Sequence, residues 1–191
     1  MSSVVNGTGG AGNVFLGSDV GSLSIEDALL LVQMDRVRLC ESQLQDQINS
    51  IRDKNEQMKK LNDLKTKITE LKADFKSDAS ETDKLKDNLA DGKKWTGGVQ
   101  NTTQDLAKGW AEMGLDPSYL DKFKNGTITK GELNAAEQVI KSQTDSLSSS
   151  SQMDMVRLQS LNNKRSEAFD TMTNMLKKAS DSKSSVVSNF R

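Results

Sequence analysis

The 191 residues predict an all-α protein: an elongated antiparallel hairpin, or coiled coil, of an N-terminal and a C-terminal helix with a small central insertion. Three observations carry that prediction. Two long stretches, 24–77 and 132–191, contain neither Pro nor Gly. Along both, apolar residues recur mostly at steps of three and four, the spacing that lines one face of a helix. The composition, 34% hydrophobic and only 4% aromatic against 28% charged, is too lean for a thick globular core.

The first segment, residues 1–22, reads MSSVVNGTGGAGNVFLGSDVGS and is rich in Ser, Gly, Asn and Thr. No Lys or Arg precedes Arg36. This composition predicts a flexible segment. It lacks the charged n-region of a cleaved secretory signal. A non-cleaved export signal is compatible with it but is not established by composition. The GTGGAG run has no preceding strand and no Lys-Ser/Thr, so it reads as linker rather than a phosphate loop.

A long helix is expected over residues 23–78. Ser24 and Asp27 make a capping box, with Leu23 placed to staple onto Ala28. Its apolar stripe runs Leu30, Met34, Val37, Leu44, Ile48, Ile51 and Met58, then Leu61, Leu64, Ile68, Leu71 and Phe75, with a phase slip between Met58 and Leu61. Cys40 lies among these residues and reads as a small buried side chain; a lone cysteine forms no intramolecular disulfide.

Residues 79–128 form a variable central insertion. A polar stretch broken at Gly92 and Gly97-Gly98 leads into a short helix capped by Thr102 and ending near Gly114. Asp116 and Pro117 then start another turn. Trp95, Trp110, Tyr119 and Phe123 all fall here, which predicts a separately packed knob.

The last helix is expected over residues 129–191, opened by a Thr129/Glu132 capping box. Its seam runs Leu158, Leu161, Arg165, Ala168, Met172, Met175, Ala179, Ser182 and Val186, alternating three and four. The serine patch before it either breaks the helix at a Ser151/Asp154 box or lets it continue with at most a mild kink, and a continuous helix is the expectation. QMDRVRL at 33–39 and QMDMVRL at 152–158 agree at six of seven positions. A shared local packing role is the favoured explanation.

Little in the chain suggests chemistry. There is no histidine, which removes the commonest general base and most zinc sites. No cofactor is expected, and an enzyme is the least expected class. A net charge of −1 gives no footprint for nucleic acid. The longest apolar run is far short of a membrane span. DKFKNGTITKGE at 121–132 matches an EF-hand loop in part, but Phe123 stands where an oxygen ligand is needed and three lysines crowd the loop. An Asn-Gly turn into a capped helix explains the same residues.

The terminal segments resemble the tip and filament proteins of type III secretion systems, including the polymerising Bordetella-type tip proteins and the EspA-like filament proteins. The resemblance rests on LLLVQMDRVRL near the start, NGTITKGELNAAEQVIKS, and QMDMVRLQSLNNKRSEAFDTMTNMLKKASDSKSSVVSNFR at the end. It covers both terminal helices and not the middle. It implies a structural subunit that is secreted to the extracellular bacterial surface, self-assembles at a needle tip and links needle to translocon. It also implies partners: further copies of the chain, the needle subunit, translocator proteins and a cytoplasmic export chaperone. The residues expected at the assembly interface are Val37, Leu44, Ile48 and Ile51 on the first helix and Leu158, Leu161, Met172 and Met175 on the last, with Val186 and Phe190 at its end. A closed oligomeric tip cap and a calcium-responsive helical module are the alternatives.

Overall fold

The computed structural model describes residues 24–189, with side chains to residue 185. The expected flexible segment, the Leu23 staple and Phe190 lie outside them. The structure is 83% helical, without a strand among the described residues, and the long first helix packs against the long last helix as a helical hairpin. These two are α1, Ile25–Ala73, and α4, Lys130–Asn189. Between them come α2, Gln100–Glu112, and α3, Leu120–Asn125. The described residues divide into two compact units, one of residues 44–160, the other of residues 24–43 and 161–189. Each contains an arm of α1 and an arm of α4.

Capping chemistry sets the starts of both long helices. The Asp27 N–H donates to Ser24 Oγ at 3.1 Å while the Ser24 hydroxyl donates to Asp27 Oδ2 at 2.8 Å. The Glu132 N–H donates to Thr129 Oγ1 at 3.2 Å and the Thr129 N–H returns a bond to Glu132 Oε2 at 3.0 Å. That reciprocal pair satisfies two donors that a helix start would otherwise leave open. Asp116 caps the turn at Pro117 by accepting from Ser118 N–H at 2.9 Å. Thr102 is not a cap: α2 begins at Gln100, and the Thr102 hydroxyl bonds back to Gly98 O inside the helical run. At the serine patch α4 continues unbroken, and Asp154 has a different partner, described below.

The unit of residues 44–160 holds the one substantial core among the described residues. Leu61, Leu64, Ile68 and Leu71 of α1 and Leu133, Ala136 and Ile140 of α4 enclose Leu106 and Trp110 of α2 and Phe123 of α3. Trp110 is completely buried. Its indole N–H donates to Asp116 O at 2.8 Å, and its ring meets Tyr119 at 5.2 Å and Phe123 edge-on at 5.5 Å. The expected aromatic knob is therefore part of the helical core rather than separate from it. α2 crosses α1 at Gly109, where a Cβ would come within 2.6 Å of Leu64 Cδ2.

The polar stretch after α1 is held by backbone bonds to the α3–α4 turn. Leu85 N–H donates to Ile128 O at 2.9 Å, Lys86 N–H to Gly126 O at 3.0 Å and Gly131 N–H to Glu81 O at 2.8 Å. Gly126 ends α3 at φ 69°, and a side chain there would strike the Trp95 ring at 2.4 Å. The turn thus demands glycine twice, for its left-handed backbone and for its space.

The residues of the calcium-like loop are engaged in this turn. Residues 121–125 are helical, Phe123 is fully buried, and Lys122 Nζ donates to Glu132 Oε1 at 2.5 Å. Burial raises the Glu132 pKa, but the bonds from Lys122 and Thr129 outweigh it and leave the carboxylate below its ordinary value. Its oxygens are committed to a cap and an ion pair.

Candidate assembly interface

The seam between the hairpin arms is more regular than the apolar residues alone suggest. The positions withdrawn from solvent on α1 include Leu30, Gln33, Val37, Cys40, Leu44, Gln47, Ile51, Lys54, Met58 and Leu61, alternating three and four, with Leu31 and Ser50 flanking that line. The phase slip falls after Leu61, where a second step of three leads to Leu64, not between Met58 and Leu61. That is where α2 and α3 join the packing and α1 must bury a wider face. On α4 the pattern runs without error from Leu147 through Ser151, Asp154, Leu158, Leu161, Arg165, Ala168, Met172 and Met175 to Ala179.

Val37, Leu44 and Leu161 are buried, as interior seam residues; Ile51, Leu158, Met172 and Met175 are half-buried. Ile48 and Met34 lie off the seam between the two arms. Each is about half exposed, and the neighbouring glutamines, Gln47 and Gln33, take the inward positions. Helix geometry decides this. A step of three from Leu44 points at the partner helix and a step of four turns away from it, whatever residue stands there. Val186 lies on α4 with its side chain outside the described set, as Phe190 lies outside it altogether.

The two heptapeptide copies do not share a packing role. Val37 is buried while its counterpart Val156 is 67% exposed, and Asp35 is exposed while Asp154 is buried. Offset in phase against the seam, the same string presents opposite faces.

Within the unit of residues 44–160 the seam carries a polar layer that the apolar pattern concealed. Lys54 Nζ pairs with Asp154 Oδ2 and donates to Ser150 Oγ at 2.6 Å, and the Ser50 hydroxyl donates to Asp154 at 3.4 Å. An ion pair half-withdrawn from water adds little net stability, but separating its partners is costly. Sliding one arm along the other would separate Lys54 from Asp154, so the pair fixes the register of this part of the hairpin.

The Lys54 bond holds the Asp154 pKa below its ordinary 3.8, against the opposing effect of burial and with help from Gln47 and Ser50. A depressed carboxylate contributes stability that is present above its unfolded value and is lost as pH falls through the folded one. Thermal unfolding followed from neutrality to below pH 3.8 is therefore expected to show falling stability. Asp154→Asn is expected to be less stable at neutral pH and to show a shallower decline. An unchanged slope in that variant contradicts the pairing.

The other unit, formed by the arms up to residue 43 and from 161, is packed differently. Among the described residues its buried apolar side chains are Val37, Cys40, Leu161 and Ala168. Two inward polar atoms, Gln33 Oε1 and Arg165 Nε, have no hydrogen-bond partner among the described residues. An unsatisfied buried polar atom costs about 1–3 kcal/mol. On its outside, Ile25, Leu29, Val32, Met34, Leu39, Phe169 and Leu176 are 39–78% exposed. Ile48, Met153, Met155 and Val156, on the arms of the first unit, complete the set of large apolar residues left exposed among the described residues. None falls between residues 49 and 152. The insertion covers its apolar surface and the hairpin arms do not.

Among the described residues no helix is long and apolar enough to cross a membrane. Comparison with protein-family models, with curated proteins and with solved structures finds no match.

Proposed function

We propose that this chain is a structural subunit that self-assembles through the arms of its terminal hairpin, in the manner of the type III secretion tip and filament proteins that its terminal segments resemble. On this reading it is exported to the bacterial surface, joins the tip of a secretion needle and connects it to translocator proteins. A cytoplasmic chaperone covers its helices until export.

One observation carries the proposal: the exposed large apolar side chains are confined to the arms, while the insertion keeps its own inside. Leaving so much apolar surface in water is unfavourable, and burying a Leu or Ile side chain recovers on the order of 2 kcal/mol. Single exposed apolar side chains are ordinary on a monomer, but eleven large ones confined to the arms call for a partner to cover them. A net charge of −1 from 53 charged residues, 26 basic and 27 acidic, puts no electrostatic barrier in the way of self-association. The commitment of Glu132 to its cap and to Lys122 favours this reading over a calcium-responsive module.

Negative-stain electron microscopy of the purified full chain, with light scattering on the same sample, tests it. Uniform fibres or a closed oligomer of several copies are expected, the first identifying a filament subunit and the second a tip cap. A persistent monomer across the accessible concentration range contradicts the proposal.

A further inference from the structure

The Asn-Gly turn that ends α3 carries a chemistry of its own. Asparagine is thermolabile, and most so before glycine, where no Cβ hinders the approach of the next backbone nitrogen. In the reaction the Gly126 nitrogen loses its proton and bonds to Asn125 Cγ, and the side-chain nitrogen leaves as ammonia. Water then opens the five-membered ring at one of its two carbonyls. One opening gives aspartate, the other the β-linked isoaspartate. Water is the sole co-reactant, and the Asn125 side chain is exposed to it.

The fold opposes this step at every bond of the turn. Asn125 is the last residue of α3, so its backbone is helical. Ring closure needs its Cα–C bond rotated away from the helical value, to swing the Gly126 nitrogen onto Cγ. That nitrogen is already engaged. Gly126 N–H donates to Phe123 O at 3.2 Å and Thr127 N–H to Lys122 O at 3.0 Å, the two bonds of a Schellman cap. Phe123 is fully buried, and Gly126 is buried under the Trp95 ring. From across the turn, Lys86 N–H holds Gly126 O at 3.0 Å and Leu85 N–H holds Ile128 O at 2.9 Å. The bond rotates only if the end of α3 and residues 85–86 let go together.

The product fits the turn as poorly as the reaction does. Isoaspartate inserts one extra carbon into the main chain between Lys124 and Gly126. Both cap bonds depend on the number of atoms they span, and Gly126 has no room to shift, since even a Cβ there would meet Trp95 at 2.4 Å. We propose that Asn125 is a conditional modification site. It deamidates and isomerises in the unfolded chain, is held back in the folded one, and as isoaspartate no longer lets the insertion close. Chains that wait unfolded are thereby removed from those able to build the core of residues 44–160. This does not depend on the assembly reading.

Peptide mapping of the full chain tests it, after ageing at a single mildly alkaline pH in native buffer and in guanidinium chloride. Conversion is read by mass, and the isoaspartate share by isoaspartate-specific methyl transfer. Asn6-Gly7-Thr8 repeats the tripeptide Asn125-Gly126-Thr127, so the two asparagines should convert at similar rates in denaturant. In native buffer Asn125 is expected to convert about tenfold or more slowly than in denaturant, because reaction is confined to a rarely opened state. Trp110→Ala should speed the native reaction and leave the rate in denaturant unchanged. After dilution from denaturant, isoaspartate chains separated by ion exchange should fail to regain the near-ultraviolet aromatic signal that unmodified chains regain. Asn125→Asp, which brings the charge without the added main-chain bond, is expected to refold. Equal rates in the two buffers overturn the restraint. Full recovery of the isoaspartate chains, or failure of Asn125→Asp to refold, overturns the main-chain account of the damage.

Discussion

Trp110→Ala is expected to cost the protein about 3–5 kcal/mol, the range for emptying a large aromatic site in a packed core. The indole is fully buried at the meeting point of α2, α3 and the turn at Pro117, and its N–H holds the Asp116 carbonyl at 2.8 Å. Removal leaves a cavity walled by Tyr119 and Phe123 and an acceptor without its donor. Much of a small domain's stability is of that size. Urea unfolding should show the loss as a lower midpoint, with the near-ultraviolet aromatic signal weakened before the helical signal. A change below about 1 kcal/mol would mean that the tryptophan is not where the core is built.

Leu161→Asp is the second large effect, and it acts on the other unit. Leu161 is one of the few apolar residues buried there, at 9% exposure. A carboxylate at that site gives up its hydration and the apolar packing of the leucine, and the Arg165 guanidinium one turn along α4 offsets only part of that loss. The expected result is loss of self-association, seen as monomer by light scattering, with the insertion still folded and its aromatic signal retained. On the proposed function, export of the variant survives, because export precedes assembly. Normal oligomers from this variant would show that Leu161 is no part of the surface that holds copies together.

Much of the fold was legible from periodicity and punctuation. Fifty residues without Pro or Gly, a Ser24 cap and a Thr129/Glu132 box mark long helices by local chemistry, and local chemistry is what sequence shows best. The phase of the seam was less legible for a physical reason. A reading that follows apolar residues takes Met34 and Ile48 as inward because they are apolar, and passes over Gln33, Gln47 and Lys54 because they are not. Counting strict steps of three and four from Leu30 selects the observed set. Lys54 could be placed inward only by its partner Asp154, a hundred residues away, and no local window contains both. The aromatic knob was likewise visible as composition, but its union with Leu61–Leu71 and Leu133–Ile140 is a long-range fact.

The same limitation explains the repeated heptapeptide. Identity of residues implies identity of role only where the strings sit in the same phase against their neighbours. Gln33–Leu39 and Gln152–Leu158 do not, and so Val37 is core while Val156 is surface. The exposure of apolar residues on α1 and α4 was hidden in the sequence in a related way. A helix with apolar residues on several faces looks well buried until the structure shows how little of the chain is there to cover it.

Amide hydrogen exchange on the assembled protein, compared with the dilute monomer, tests the central claim most directly. If the hairpin arms are the assembly surface, slowed exchange on assembly should concentrate in residues 25–43 and 161–185, with residues 76–128 unchanged between the two states. Protection gained across the insertion and absent from the arms would contradict the account and move the interface to the middle of the chain.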